Sequence, residues 1–203
     1  MERKSISCNV AICPSDAVIR RAAQVSRILK RSGGLFTLGR KTYYPHITLY
    51  MSEFPVKNLR VIETVLEEIA SMTRPFRLTA INYRTHEGSI DVRFKRNRTV
   101  AELHKRIVHR LNPLREGLLR RKDLVRFRQF NQQKQKNLRK WGYDNVFSQF
   151  SPHLTFTKLR QGNRSILSPL PRFNFSFLAK EFALFQSAEH GTCKKLIARF
   201  KLS

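Results

Sequence analysis

The chain has 203 residues, and its 40 Lys and Arg against 14 Asp and Glu give a formal net charge of +26. Hydrophobic residues make up 41% of it, enough for one packed domain or two small lobes that share a core, and no apolar run approaches the roughly 18 residues of a membrane span. The basic charge favours a polyanionic partner, and nucleic acid is the commonest polyanion for a soluble protein.

The first half of the chain alternates strands and amphipathic helices. Ser5–Ile12 alternates as a first strand, which argues against a signal peptide. Ser15 is placed to cap a helix that ends at the glycine pair 33–34. A strand is predicted at 46–51 and a second helix at 56–72, with apolar residues at helical spacing in each helix.

The second half begins with a hairpin. Residues 77–84 and 89–95 form its strands across the turn "THEG", and a third helix starts at Thr99 and ends near Pro113. Two closing strands, around 175–186 and around 192–201, are joined by the turn "AEHG". The mixture of helices and antiparallel hairpins predicts an α+β fold.

Residues 115–142 form the most basic segment of the chain. It holds ten basic residues and two acidic ones, with aromatic residues between them. We expect a partly helical, mobile insertion within one domain spanning 1–203. Its cations suit contacts with a nucleic-acid backbone, although a merely solvated helix face would look the same.

The three cysteines make no CxxC pair, and their number is odd. This predicts neither a disulfide framework nor a zinc site, and it favours the reducing cytoplasm. We expect no cofactor, no bound metal, no membrane contact and a monomeric chain.

Two short segments are alike: "YPHITLY" before residue 51 and "SPHLTFT" from residue 151. Each has Pro-His followed by an apolar residue and Thr. Residues i and i+2 of a strand share a face, so His46 lies with Thr48 and His153 with Thr155. If the two strands lie side by side, two imidazoles and two hydroxyls meet in one cleft. A single His-x-Thr on an apolar strand is usually structural, but two copies favour general acid and base catalysis at phosphorus.

These paired motifs resemble those of the 2H phosphoesterase superfamily, and most of all its branch of 2′-5′ RNA ligases and RNA 2′,3′-cyclic phosphodiesterases. The resemblance implies two lobes of antiparallel sheet with outer helices, a pseudo-twofold relation between the lobes and a central groove. It implies His46 and His153 as the acid and base, without assigning the two roles, and Thr48 and Thr155 as phosphate anchors. It also points to Lys158, although strict alternation would place that side chain on the opposite face from His153.

Aromatic and basic residues near the motifs are predicted to bind the substrate, by stacking on bases or by contacting phosphates. They are Arg40, Lys41, Tyr43, Tyr44, Tyr143 and Phe150. The remaining four histidines are left out of the predicted site because none has a Thr two residues later. They are His86, His104, His109 and His190.

The leading hypothesis is a metal-independent phosphodiesterase that acts on 2′,3′-cyclic phosphate ends or 2′-5′ linkages of RNA, with reverse ligation as a further activity. One alternative is a 2H enzyme for a small cyclic nucleotide or ADP-ribose cyclic phosphate, whose activity would depend less steeply on salt. Another alternative is an RNA-binding protein that keeps the scaffold without catalysis. The complete His and Thr pairs argue against that second alternative.

Overall fold

A computed structural model describes residues 4–39, 43–159, 167 and 170–203. Within these residues the chain forms nine strands and five α-helices. The strands are β1 (Ser5–Ile12), β2 (Ile47–Pro55), β3 (Phe76–Leu78), β4 (Ala80–His86), β5 (Ser89–Phe94), β6 (His153–Lys158), β7 (Phe177–Ala179), β8 (Glu181–Ser187) and β9 (Cys193–Lys201). The helices are α1 (Asp16–Arg31), α2 (Leu59–Ser71), α3 (Arg98–Leu111), α4 (Arg121–Val125) and α5 (Gln132–Trp141).

The strands form three antiparallel sheets, which confirms the α+β prediction. One has the order β2-β1-β8-β9, a second the order β4-β5-β6, and a two-stranded ribbon joins β3 to β7. The first His motif therefore lies in the four-stranded sheet and the second in the three-stranded sheet. The two motif strands are not hydrogen-bonded neighbours, contrary to the simplest way of bringing the histidines together.

The helices cover the sheets from outside, and aromatic residues fill the space between. Helices α2 and α3 pack on the four-stranded sheet, whereas α1 packs on β6 of the other sheet. The helix that follows the first strand thus supports the second motif, so the two halves share a core. Its largest fully buried side chains include Tyr50, Phe54, Phe156, Phe175, Phe182 and Phe185.

The predicted β4–β5 hairpin is present and closes through a two-residue turn. Glu87 and Gly88 both have positive φ, 48° and 78°, as a type I′ turn requires. The predicted strand 77–84 is divided, however, because its first residues pair with β7 and its later residues with β5. The closing strand predicted around 175–186 is divided in the same way into β7 and β8.

Helix α1 begins and ends where the sequence indicated. Ser15 precedes it in an extended conformation, but its side chain makes no capping hydrogen bond. At the other end, Gly33 takes a φ of 91°, and Gly34 donates its backbone N–H to the carbonyl of Leu29. These contacts satisfy the last carbonyls of the helix. The second predicted helix begins with a 3₁₀ turn, Val56–Asn58, before α2.

The basic segment 115–142 contains helices α4 and α5 and is tied to β2. The Arg115 side chain is buried and donates hydrogen bonds to the carbonyls of Leu118, Arg139 and Lys140. The Tyr50 hydroxyl donates to the carbonyl of Trp141 at 2.6 Å. Both ends of the segment are thereby anchored next to the strand that carries the first motif.

Among the described residues, no helix is both long and apolar enough to cross a membrane.

Candidate active site

The rings of His46 and His153 are held in the same way, each by a contact within its own motif. The His46 Nδ1–H donates to the carbonyl of Tyr44 at 2.8 Å, and the His153 Nδ1–H donates to the carbonyl of Ser151 at 2.8 Å. A carbonyl only accepts hydrogen bonds, so Nδ1 carries a proton in both rings and Nε2 is left for other partners. The two copies of the motif thus present the same nitrogen of each ring.

His46 lies in a surrounding that keeps its ring neutral. Burial lowers the pKa of His46 to about 4. A backbone hydrogen bond with Tyr44 opposes this change, and the positive charge of His153 adds to it. The effect of His153 places the two rings within electrostatic reach of one another. A neutral ring with a free Nε2 lone pair can accept a proton at pH 7.

A bulge in β6 changes which side chains of the second motif share a face. Thr155 is paired with Asp91 of β5, and Lys158 is paired with Ser89, which shares the face of Asp91 because it is two residues away. Phe156 is the extra residue between these pairs. Lys158 therefore lies on the same face as His153 and Thr155, where strict alternation would not have placed it.

The first motif has a bulge at the equivalent position of β2. Thr48 is paired with Ala11 and Met51 with Asn9, and Leu49 is the extra residue. Residues 9 and 11 of β1 share a face, so Thr48 and Met51 do as well. Met51 thus occupies in the first motif the position that Lys158 occupies in the second.

Thr48 is oriented by a buried asparagine. The Asn9 side-chain amide donates to Thr48 Oγ1 at 3.0 Å, and Asn9 is fully buried. Because that oxygen already accepts a hydrogen bond, the Thr48 hydroxyl proton is available for an external acceptor such as a phosphate oxygen. In the second motif, Thr155 instead lies opposite Asp91, which is buried and held by Arg84 through two hydrogen bonds of 3.1 and 3.2 Å.

A cleft of about 720 Å³ opens beside the second motif. His153 and Lys158 line it together with residues of the segment 115–142, and Met51 and Gly191 also contribute to its wall. The backbone of Gly191 also lies beside the His46 ring, where it favours the protonated form. The cleft therefore extends from the second motif to the basic segment and reaches Met51 beside the first motif, whereas His46, Thr48 and Thr155 are not among its lining residues.

The predicted substrate-binding aromatics divide into cleft and core residues. Tyr143 lines the cleft, although its side chain is largely buried. Phe150 lies in the core, stacked on His104 at a centroid distance of 4.0 Å, and does not line the cleft. Tyr44 packs on Phe185 at 5.3 Å, and Tyr43 packs edge-on against Phe36 at 5.8 Å. These contacts are those of packing residues.

Arg40 and Lys41, the remaining predicted substrate-binding residues, lie outside the described residues.

Two histidines that sequence reasoning set aside line the cleft. His86 is next to the turn between β4 and β5, and His190 is in the turn between β8 and β9. His190 has a φ of 58°, uncommon for a residue with a side chain, and stacks on Phe36 at 6.0 Å. The turn sequences "HEG" and "EHG" are similar, but this similarity alone does not place either turn at a cleft.

His104, by contrast, is a structural histidine in the described fold. Its Nδ1–H donates to the carbonyl of Leu49 at 2.6 Å, and its Nε2 accepts the N–H of Phe147 at 3.0 Å. Burial lowers its pKa to about 4, so the ring is neutral with both nitrogens satisfied. It joins the first motif strand to the segment just before the second motif.

Over the described ranges, no group of three or more His, Cys, Asp or Glu side chains is arranged to hold a metal ion.

The fold is that of the 2H phosphoesterases, with solved relatives matching nearly the whole chain. E. coli LigT in apo form superposes with a TM-score of 0.61 at 16% identity, covering 98% of this chain and 99% of that one. A Thermus thermophilus protein, TT0787, has a TM-score of 0.61 at 16% identity over 97% of this chain and 98% of its own. A structure described as a phosphoesterase has a TM-score of 0.59 at 17% identity over 98% and 99%.

The chain belongs to the family described as "Protein of unknown function (DUF1045)", which matches residues 56–192. No curated protein matches the chain in sequence.

Proposed function

We propose that the protein is a metal-independent phosphodiesterase that acts on RNA carrying a 2′,3′-cyclic phosphate or a 2′-5′ linkage, by two-histidine acid and base catalysis. One observation carries the proposal. The rings of His46 and His153 are each fixed through Nδ1 to the carbonyl two residues before, which leaves two Nε2 atoms for one reacting group. Paired His-Thr motifs at the junction of two sheets support the same chemistry.

For a cyclic phosphate, the neutral ring of His46 is the base and His153 the acid. His46 Nε2 takes a proton from water as the water oxygen attacks phosphorus, and one ribose oxygen leaves phosphorus and takes a proton from His153. The assignment follows from the low pKa of His46. Hydroxyls of Thr48 and Thr155 and the ammonium of Lys158 stabilise the negative charge that develops on the phosphate oxygens.

Two observations support an RNA substrate: the net positive charge of the chain and the nucleotides bound in structurally similar proteins. The net charge of +26 favours a polyanion. LigT has been crystallised with 3′-AMP, ATP, NADP+ and phosphate, at identities of 15–18%. A nucleotide group fits the chemistry of the cleft, and the exposed cations of the segment 115–142 suit the backbone of a longer strand.

A small cyclic nucleotide is the second candidate substrate, and the shape of the cleft favours it. The volume of about 720 Å³ lies in the range of small-molecule sites, which is roughly 300–1,000 Å³. Residues of the segment 115–142 line the cleft together with His153, so a single nucleotide bound there would contact both.

The test is hydrolysis, in the presence of a chelator, of a short oligonucleotide that ends in a 2′,3′-cyclic phosphate. His46→Ala and His153→Ala should each lower kcat/KM by about 10²–10⁴, the usual contribution of one acid or base. His109→Ala is the matched control, because His109 is exposed on α3 and does not line the cleft. It should keep full activity.

The outcome also separates the two substrates. Hydrolysis of a 2′,3′-cyclic mononucleotide without hydrolysis of the oligonucleotide would favour the second candidate. A fully active double variant of His46 and His153 would refute the mechanism for both. Circular dichroism of each variant shows whether a loss of activity comes from loss of the fold.

A further inference from the structure

The cleft is lined by more cationic than acidic side chains. Six are cationic and four are acidic. Each acidic group has a cationic partner: Asp91 with Arg84 at 3.1 Å, Asp123 with Arg120 at 2.6 Å, Glu87 with Arg126 at 3.5 Å and Asp144 with Lys134 at 3.6 Å. Two lysines are left, Lys122 and Lys158, and neither forms an ion pair among the described residues.

The two lysines come from different elements that line the cleft. Lys158 ends β6 and shares the face of the second motif. Lys122 is in α4, which belongs to the basic segment. The charge of Lys122 also acts on the buried Cys193 thiol at the start of β9. Lys122 is therefore within electrostatic reach of the four-stranded sheet that carries the first motif.

The surroundings of Lys122 disfavour its positive charge. The residue is exposed and so open to a ligand, yet partial desolvation by its neighbours, together with the positive charge of Arg120, lowers the pKa of Lys122 to about 8. Asp123 and Asp144 oppose this change only in part. Such a group gains from a bound anion, because the anion offsets both the lost hydration and the repulsion. The ammonium is still mostly charged at pH 7.

Arg120 adds an unused donor beside Lys122. Only 3% of its surface is exposed; its Nε and Nη2 bind Asp123, and its guanidinium lies 5.5 Å from the ring centroid of Tyr143. Its Nη1 has no hydrogen-bond partner among the described residues. A buried guanidinium nitrogen without an acceptor is costly, and such groups often mark binding sites.

We propose that Lys122, supported by Arg120, forms a second phosphate subsite, and that the substrate is a nucleotide with a phosphate besides the one at the two histidines. This rests on the proposed function, since it takes the motif site as the place of the reacting phosphate. The second phosphate belongs either to a terminal phosphate monoester or to the neighbouring phosphodiester of a strand. The two sources share the chemistry of an oxyanion next to a nucleoside, and ligands distinguish them.

Equilibrium binding tests the subsite without requiring turnover. Calorimetry at fixed ionic strength compares adenosine 3′-phosphate, adenosine 3′,5′-bisphosphate and the dinucleotide ApAp, which carries a phosphodiester and a 3′-phosphate. At least one of the two-phosphate ligands should bind about 10-fold or more tightly than the monophosphate, as expected for one added charged hydrogen bond. Tighter binding of the bisphosphate alone indicates a terminal phosphate, and of ApAp alone a phosphodiester.

Lys122→Gln should remove this gain and leave binding of adenosine 3′-phosphate unchanged. Arg121→Gln is the matched control: it removes the same charge from the same helix, but Arg121 is exposed and does not line the cleft. It should keep the gain. Arg120→Lys keeps the positive charge but lacks the unpaired Nη1, so it should lose part of the gain in affinity from the second phosphate. Thermal unfolding of the variant checks that it is folded.

Three results would overturn the subsite. They are equal affinities for all three ligands, an equal loss for all three in Lys122→Gln, and an equal effect of Lys122→Gln and Arg121→Gln. The proposed phosphodiesterase activity is judged separately, by hydrolysis, so either proposal can fail while the other stands.

Discussion

The two His-Thr motifs share one backbone design and differ in what surrounds it. In both, the ring is fixed through Nδ1 to the carbonyl two residues before, and a bulge directly after Thr brings the fifth residue after His to the same face. That fifth residue is Met51 in the first motif and Lys158 in the second. The same frame therefore presents an apolar group at one site and a charge at the other.

The electrostatic surroundings extend this difference. Burial holds the pKa of His46 at about 4, so the first motif offers a neutral base. The second motif adds the Lys158 ammonium. The two copies of the motif thus differ in their surroundings, as the proposed reaction with one acid and one base would require.

Among substitutions that keep both histidines, the largest expected change comes from making the two motifs alike. Lys158→Met places in the second motif the residue of the first, and it should lower kcat/KM for cyclic-phosphate hydrolysis roughly 10- to 100-fold, the value of a hydrogen bond to a charged group. Lys105→Met, on the exposed surface of α3 and away from the cleft lining, is the control and should have little effect. Unchanged kcat/KM in Lys158→Met would show that the motifs do not differ through this residue.

A smaller effect should follow from His104, which links the motifs without taking part in the reaction. Burial lowers its pKa from the ordinary 6.5 to about 4 in the fold, so the unfolded chain binds the proton more readily. The contribution of His104 to the free energy of unfolding is therefore complete above about pH 6.5 and is lost as the pH falls toward 4. Between pH 7 and pH 5 the free energy of unfolding should fall by about 2 kcal/mol.

Urea unfolding at these two pH values measures that cost. His104→Gln should be less stable at pH 7, because hydrogen bonds to Leu49 and Phe147 are altered, but should lose less stability on acidification. An unchanged decline in the variant would assign the pH dependence to other groups, His46 among them.

The smallest expected effect concerns Asn9, which supports only the first motif. Asn9→Ala removes the donor to Thr48 Oγ1, so the hydroxyl can turn away from the phosphate. We expect kcat/KM to fall about 2- to 10-fold, in line with one neutral hydrogen bond. Combining Asn9→Ala with Thr48→Val measures the link: an additive double variant would show that Asn9 acts elsewhere.

The sequence predicted the parts of the site that depend on local pattern. The strand–helix order and the His-Thr pairs could be read because side-chain periodicity and residue type determine them. The strand boundaries near Thr79 and Lys180 could not, because there the chain leaves one sheet for another and nothing local marks the exchange. The same holds for the two motif strands, which come from different sheets.

Pairing register explains the residues that were missed. Lys158 reaches the catalytic face only through the bulge at Phe156, and a bulge depends on the partner strand. Asn9 left a trace that could have been used: an amide in the middle of the apolar strand "SISCNVAI" is costly unless it has a buried partner. His86 and His190 needed the cleft itself, since a turn is exposed by default.

The anchoring of the segment 115–142 limits how this scaffold could be re-engineered. A Cβ on Gly142 would lie 2.5 Å from Ser52 Oγ and 2.8 Å from the Arg115 side chain, so backbone and β2 are in direct contact there. Together with the Tyr50–Trp141 hydrogen bond, the close contact at Gly142 shows that the segment supports the strand of the first motif. Shortening the segment 115–142 would remove that support. Substitutions on α4 are therefore the better way to alter substrate range.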